Sequence, residues 1–131
     1  MFGKKAQPPI KSLIAQGSRI DGDLKFTEGL RIDGEVFGSI RAQAEQPSIL
    51  VISENAVVQG EIQADHVIIN GSVRGPVLAR ELLELQPKAK IEGDVSYTAL
   101  EMHQGAVISG QLRPLAGSDE KPLLKLAANN F

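Results

Sequence analysis

A five-residue phrase of alternating aliphatic and polar residues recurs through the middle of the chain. Its order is aliphatic, polar, Gly, polar, aliphatic, and it occurs six times in full, at residues 20–24, 32–36, 58–62, 69–73, 91–95 and 108–112. Alternation with a period of two is typical of β-strands, because successive side chains of a strand point to opposite faces. A repeat of this kind predicts one supersecondary unit that stacks on copies of itself.

The chain also divides into six longer lines, each of which starts with two apolar residues two positions apart. The starts are Leu13/Ala15, Leu30/Ile32, Leu50/Ile52, Val67/Ile69, Leu83/Leu85 and Leu100/Met102. Successive starts are 17, 20, 17, 16 and 17 residues apart, and each line contains three short aliphatic segments. The segment nearest to a helical pattern, residues 80–85, is predicted to be a strand.

Three strands in a line of this length predict one coil of a triangular solenoid, because such short strands are not stable by themselves. We therefore predict an all-β fold, a right-handed parallel β-helix of about six coils with short flexible tails. Coils spaced ~4.8 Å apart would form a rod roughly 30 Å long. Glycine suits the sharp corners. In two lines the phrase lies one side of the triangle earlier than in the other four, and there Gly38 and Gly75 supply the corner. Residues 42–48 of the longest line predict a looped-out corner.

Composition and charge narrow the possible classes of protein. The 131 residues suffice for one domain, and the absence of cysteine excludes disulfides, thiolate catalysis and cysteine zinc sites. No apolar run is long enough to span a membrane, and no secretory signal is evident, so we expect a cytoplasmic protein. Residues 1–12 carry a charge of +3, residues 13–113 carry −5 and residues 114–131 sum to zero. An acidic body with few aromatics predicts no nucleic-acid partner.

The ends of the predicted rod are its candidate functional surfaces. The first and last coils of a solenoid have an unpaired strand edge, which a polar cap or a helix normally covers. Here the first and last lines are as apolar inside as the middle ones, and a docked protomer would continue the solenoid. We predict a homopolymer whose interface comprises Leu13, Ile20, Leu24, Phe26, Leu100, Met102, Ile108 and Leu112. The alternative is a monomer or two-fold dimer in which residues 114–115 or 122–128 fold over an end.

The glycine-punctuated lines, the body of about 100 residues and the initial Met1-Phe2-Gly3-Lys4-Lys5 together resemble the bactofilins, a family of bacterial cytoskeletal proteins. The resemblance covers residues 13–113 and the first five residues. It implies a right-handed parallel β-helix that polymerises without nucleotide through its terminal coils. It also implies membrane-associated filaments that position cell-wall or morphogenesis proteins. The tails of this chain are shorter and less rich in proline than the resemblance leads us to expect.

The N-terminal tail carries features of a membrane anchor. Phe2 can bury apolar surface at the headgroup boundary, while Lys4 and Lys5 each contribute ~1 kcal/mol near an anionic leaflet. We predict that Met1, Phe2, Lys4 and Lys5 bind the inner face of the cytoplasmic membrane, and that a filament multiplies this weak affinity. The alternative is a basic tail that only aids solubility. The domain organisation is therefore a membrane-targeting tail at 1–12, a polymerisation domain at 13–113 and a C-terminal tail at 114–131.

No catalytic, cofactor or metal residues are predicted. His66 and His103 lie in different lines without a cysteine partner, and the acids beside the corner glycines lack the phrase of calcium-binding solenoids. No phosphate loop with Gly-Lys-Ser/Thr occurs, which argues against a nucleotide. Hexapeptide-repeat acyltransferases wind a similar β-helix, but they keep six-residue sides and use a histidine base, whereas these lines vary from 16 to 20 residues. We therefore predict a scaffold, with the acyltransferase and a monomeric binding solenoid as alternatives.

Overall fold

The computed structural model describes residues 9–43 and 47–115. These residues form fifteen strands and, within the described ranges, no helix. The strands of the N-terminal half are β1 (Ser12–Ile14), β2 (Arg19–Asp21), β3 (Leu24–Phe26), β4 (Gly29–Ile32), β5 (Glu35–Phe37), β6 (Ile40–Ala42), β7 (Ile49–Ile52) and β8 (Val57–Gln59). Those of the C-terminal half are β9 (Ile62–Ile69), β10 (Ser72–Arg74), β11 (Val77–Leu85), β12 (Lys90–Glu92), β13 (Val95–Met102), β14 (Val107–Ser109) and β15 (Leu112–Pro114).

The strands stack in parallel as three columns, which form the three faces of a solenoid. Face I contains β1, β4, β7 and the C-terminal halves of β9, β11 and β13. Face II contains β2, β5, β8, β10, β12 and β14. Face III contains β3, β6, the N-terminal halves of β9, β11 and β13, and β15. Six coils of three strands result, which confirms the predicted all-β stacked-coil fold and the strand at residues 80–85.

One glycine per coil forms the corner between faces II and III. The six members are Gly22, Gly38, Gly60, Gly75, Gly93 and Gly110. A Cβ atom on any of the last five would strike the carbonyl oxygen of the glycine in the preceding coil, so only glycine allows the backbones to stack this closely. The structure confirms the corner role predicted for Gly38 and Gly75. In those two coils the five-residue phrase lies at the preceding corner, between faces I and II.

The core consists of inward-pointing aliphatic columns that run the length of the rod. On face II the column is Ile20, Val36, Val58, Val73, Ile91 and Ile108. On face III it is Leu24, Ile40, Ile62, Val77, Val95 and Leu112. The members in the four middle coils are almost completely buried, whereas those in the two end coils are not.

The predicted start of the first coil is wrong by one residue. Ile14 lies in register with Ile32, and Ser12 lies in register with Leu30, so Leu13 alternates to the outer surface. Leu13 is accordingly 55% exposed. The local sequence around Leu13 offers apolar residues in both phases of the alternation, and pairing with β4 decides between them because it places Ile14 over the buried Ile32.

A polar network stabilises the corner between faces III and I. Residues 43–48 connect β6 to β7, where a looped-out corner is predicted. Ser48 is buried, its N–H donates to Asp65 Oδ2 (3.1 Å), and its Oγ accepts the N–H of Asp65 (3.0 Å). The guanidinium of Arg80 donates to the other carboxylate oxygen of Asp65 at 2.8 Å. These bonds tie the corners of successive coils together where faces III and I meet.

Candidate polymerisation interface

Both ends of the rod present strands that are paired on one side only. At the N-terminal end, β1, β2 and β3 pair with β4, β5 and β6 respectively. At the C-terminal end, the second half of β13 pairs with β11, while β14 and β15 pair with β12 and β13. No other strand in residues 9–43 and 47–115 pairs with the outer edges of these six. Each end therefore offers three ladders of backbone N–H and C=O groups to a further coil.

The N-terminal end surface consists of Ile14, Ile20, Leu24 and Phe26. The first three are half-buried and pack on the core, and Phe26 is nearly buried. Ile32, which follows Ile14 in the same column one coil inward, is completely buried. The difference in exposure corresponds to the area that one additional coil would cover.

The C-terminal end surface consists of Leu100, Met102, Ala106, Ile108 and Leu112. Leu100 is nearly buried, the next three are half-buried, and Leu112 is exposed. Thus seven of the eight residues predicted for the interface do lie in the apolar columns of an end coil. The exception is Leu13, which belongs to the first coil but points outward; Ser12 holds the position predicted for it, over Leu30, and Ile14 is the inward residue of this strand over Ile32. Their part in a polymer contact stays a prediction.

Strongly exposed large hydrophobic residues are confined to the two end regions of the described chain. They are Ile10 (45%), Leu13 (55%), Val107 (50%) and Leu112 (46%). Ile10 precedes β1, Leu13 lies in the first coil, and the other two lie in the sixth coil. Leu112 lies in the inner column of face III, whereas Leu13 and Val107 point outward from faces I and II.

Several charged groups near both ends have partners within the same protomer. Arg19 forms an ion pair with Asp21 (3.1 Å) at the N-terminal end. At the C-terminal end, the backbone N–H of Gln111 and the guanidinium of Arg113 both bind Asp94, at 2.9 and 3.1 Å. These bonds lower the pKa of Asp94 from its ordinary value of 3.8, with the backbone bond as the larger cause. The groups that a neighbouring coil would meet are therefore mainly aliphatic side chains and backbone edges.

One of the predicted alternatives for covering an end is wrong for the described residues. Pro114 lies in β15 in register with Tyr97, and the N–H of Leu115 donates to the carbonyl oxygen of Tyr97 at 2.8 Å. Residues 114–115 therefore continue along face III and do not fold over the C-terminal end. The other candidate cover, residues 122–128, lies outside the described residues.

The histidines and acids that the sequence singles out lie on the outer surface. His103 Nε2 is 3.4 Å from Glu84 Oε2, and together with Glu101 they form a group of possible metal ligands within 4.8 Å of one another. We assign no ion to this group, because Glu101 and His103 are exposed and His103 already pairs with Glu84. His66 lies two coils away from His103 on the same face. Most of the corner acids pair with an arginine: Asp21, Asp33, Glu61, Glu92 and Asp94.

The four residues predicted to bind a membrane, Met1, Phe2, Lys4 and Lys5, lie outside the described residues. Within the described part of the chain, no helix is long and apolar enough to cross a membrane. The chain leaves the first coil beside β4, where the N–H of Lys11 donates to the carbonyl oxygen of Gly29 at 3.0 Å. Lys11 thus lies beside the second coil, one residue before β1.

Comparisons with known proteins give a family model and a curated relative that the chain matches. The family model named bactofilin, described as polymer-forming cytoskeletal, matches residues 12–113. This range coincides closely with the described strands, which extend from Ser12 to Pro114. The chain is also similar to bactofilin BacO of Myxococcus xanthus (strain DK1622), with 26% identity over 111 residues that cover 85% of each chain. No solved structure matches the chain at a significant level.

Proposed function

The chain belongs to the bactofilin family of polymer-forming cytoskeletal proteins, and from this premise we propose that its protomers polymerise by stacking their terminal coils end to end. The observation that carries the proposal is the continuity of the apolar columns. Residues that are fully buried in the middle coils have counterparts at both ends, such as Ile20 and Ile108, that are only half-buried. A further coil would complete both the columns and the ladders.

The driving force of this assembly is the burial of aliphatic surface, at about 25 cal/mol per Å². Backbone hydrogen bonds between the terminal strands would add about 0.5–1.5 kcal/mol each. They also fix the register, because a one-residue slip would turn the apolar side chains outward. Neither contribution needs a bound ligand, and we therefore propose that assembly is independent of nucleotide.

We further propose that the filament lies on the inner face of the cytoplasmic membrane. The support is the charge of +3 in residues 1–12 together with Phe2, which combine electrostatic attraction with an apolar insertion. Each protomer would contribute one weak anchor, and a filament would bind through many. A scaffold held in this way would position cell-wall or morphogenesis proteins along its length.

Electron microscopy of the purified full-length protein in negative stain tests the proposal. We expect fibres many times longer than one rod of roughly 30 Å, formed without added nucleotide. Isolated short rods that stay monodisperse at high concentration would contradict end-to-end assembly and favour a binding solenoid. Compact trimers would favour an acyltransferase-like arrangement.

A further inference from the structure

The outer surface of face I contains one column whose chemistry changes along the rod. Its members, one per coil from the first to the sixth, are Leu13, Arg31, Val51, Ile68, Glu84 and Glu101. The two middle residues are aliphatic and half-buried. A basic residue lies on the N-terminal side of this apolar centre, and two acidic residues lie on its C-terminal side.

The charged members of the face I column are accessible to a second molecule. The side chain of Arg31 is 50% exposed, and only its Nε is engaged with Asp33, at 2.9 Å. A guanidinium has five N–H donors, so it can bind a further carboxylate. The side chain of Glu84 is 21% exposed, and its Oε2 is engaged with Gln86 Nε2 (3.3 Å) and His103 Nε2 (3.4 Å), which leaves Oε1 to accept from a second copy. Glu101 in the next coil is exposed. The opposite charges thus lie on the same face, three or four coils apart.

We infer that the outer surface of face I is a lateral interface for a second copy of this chain, placed antiparallel about a two-fold axis. With the axis between the third and fourth coils, Val51 of one copy lies opposite Ile68 of the other. Arg31 then lies opposite Glu84, and the same pair forms a second time by symmetry. A parallel arrangement would instead place Arg31 against Arg31 and Glu84 against Glu84, which is unfavourable.

The apolar centre of this interface extends beyond the column itself. Leu82 is half-buried and points outward on face I two positions before Glu84. The other faces lack this combination. The outer column of face III begins with Lys25 and ends with Arg113, so an antiparallel pair would bring like charges together. On face II the column of Glu35, Val57, Ser72 and Lys90 would also bring opposite charges together, but Ser72 leaves only one aliphatic residue at its centre.

The size of face I indicates that the interface acts between filaments. One face is roughly 30 Å long and, with strands of about four residues, roughly 13 Å wide, or about 400 Å² in area. This is less than the ~800 Å² that each partner buries in a standard stable interface. Two single protomers should therefore pair weakly, while two filaments would repeat the contact along their length. The inference rests on the proposed end-to-end assembly for this multiplication, although it concerns a different surface.

Charge reversal on the full-length protein tests the inference. The unaltered protein should form filaments that associate in pairs or bundles in negative stain, and less so at high salt. Arg31→Glu and Glu84→Lys should each abolish the pairing and leave single filaments of unchanged length. The double variant Arg31→Glu/Glu84→Lys should recover the pairs, because each reversed charge again faces its opposite. Arg41→Glu, the same change in the same coil but on face III, is the matched control and should keep the pairing.

Two further measurements separate the possible outcomes. Ile68→Lys should also abolish pairing while circular dichroism shows unchanged strand content, which covers the case that Arg31→Glu disturbs folding. Filaments of the unaltered protein that remain single, or a double variant that stays single, would overturn the lateral interface and leave end-to-end assembly intact. If no filaments form, end-to-end assembly fails instead.

In that case the lateral interface is tested by sedimentation of the unaltered protein and of Ile68→Lys at high protein concentration. A dimer of the unaltered protein that dissociates in Ile68→Lys would support the lateral interface. A dimer that persists in Ile68→Lys, or the absence of any dimer, would overturn it.

Discussion

The carbonyl oxygen of Gly38 occupies the space into which a Cβ atom on Gly60 would project. Gly60 also has a φ of +152°, a conformation that residues with a side chain rarely adopt. The same relationship recurs from coil to coil along the corner between faces II and III. This glycine stack lets the backbones approach closely enough for the ladders on both adjoining faces to form.

We expect Gly60→Ala to destabilise the solenoid far more than Gly17→Ala. Both positions have positive φ, which costs about 1–3 kcal/mol for alanine. At Gly60 the methyl group also collides with backbone, which adds about 1–3 kcal/mol, whereas nothing lies within 4 Å of a Cβ on Gly17. The free energy of unfolding from urea titrations followed by circular dichroism measures the difference. Equal losses in the two variants would show that the close stacking is unimportant.

An arginine in an end coil should dissolve the filaments without unfolding the protomer. Leu112→Arg and Leu24→Arg each place a charge in a column that a neighbouring protomer would otherwise bury, which is costly without a partner. Sedimentation should show soluble protomers, and circular dichroism should show unchanged strand content. Ser72→Arg, on the outer surface of a middle coil, is the matched control and should still form fibres. Persistence of fibres in both end variants would place the junction elsewhere.

The corrected register of the first coil has its own test. Ile14→Arg should block assembly, because Ile14 lies in the inner column over Ile32. Leu13→Arg should have a smaller effect on fibre length, because Leu13 points outward from the same strand. Fibre length distributions in negative stain compare the two variants directly. A stronger effect of Leu13→Arg would mean that the outer surface of the first coil dominates the junction.

The stability of the protomer should fall in acid. The hydrogen bond from Ser53 and the pairing with Arg31 lower the pKa of Asp33 from its ordinary value of 3.8. Gln63 and Arg41 likewise lower the pKa of Glu61 from 4.5. Because these pKa values are lower in the folded state, the carboxylates stabilise the fold above their unfolded pKa. This contribution is lost as the pH falls through the folded pKa.

Urea midpoints between pH 7 and pH 2.5 measure this acid dependence. We expect a constant midpoint above about pH 5 and a progressive decrease below pH 4. Asp33→Asn should flatten part of the decrease, because the substituted side chain does not titrate. An unchanged midpoint throughout this range would show that the pairs contribute nothing to folding, as many exposed ion pairs do.

Membrane binding by the N-terminal tail should depend on Phe2. Phe2→Glu replaces an apolar residue with a charge that anionic lipids repel, and it should reduce the fraction of protein that pellets with anionic liposomes. Phe131→Glu makes the same change at the opposite terminus and should pellet like the unaltered protein. Equal pelleting of all three proteins would remove the role assigned to this tail. Filament formation should be the same in all three, which separates anchoring from assembly.

Much of the fold follows from local pattern. Each five-residue phrase lies where the structure has a corner between two strands, for example residues 58–62 between β8 and β9. The phrase around each glycine makes this possible, because it marks both the corner and the two strands beside it. Leu13 shows the limit of local pattern. Apolar residues occupy both phases of the alternation there, and only pairing with β4 determines which one faces inward.

The amino-acid sequence by itself determined the stacked-coil architecture, the number of coils, the corner glycines and the apolar character of both end coils. These features depend on periodicity and on residue types, whose effects extend over only a few positions of the chain. Only the tertiary structure decided the register of the first coil, the course of residues 114–115 and the alignment of Arg31, Val51, Ile68 and Glu84 on one face. These residues lie in coils of unequal length. Their alignment on one face depends on how many residues each corner uses before the chain enters the next coil.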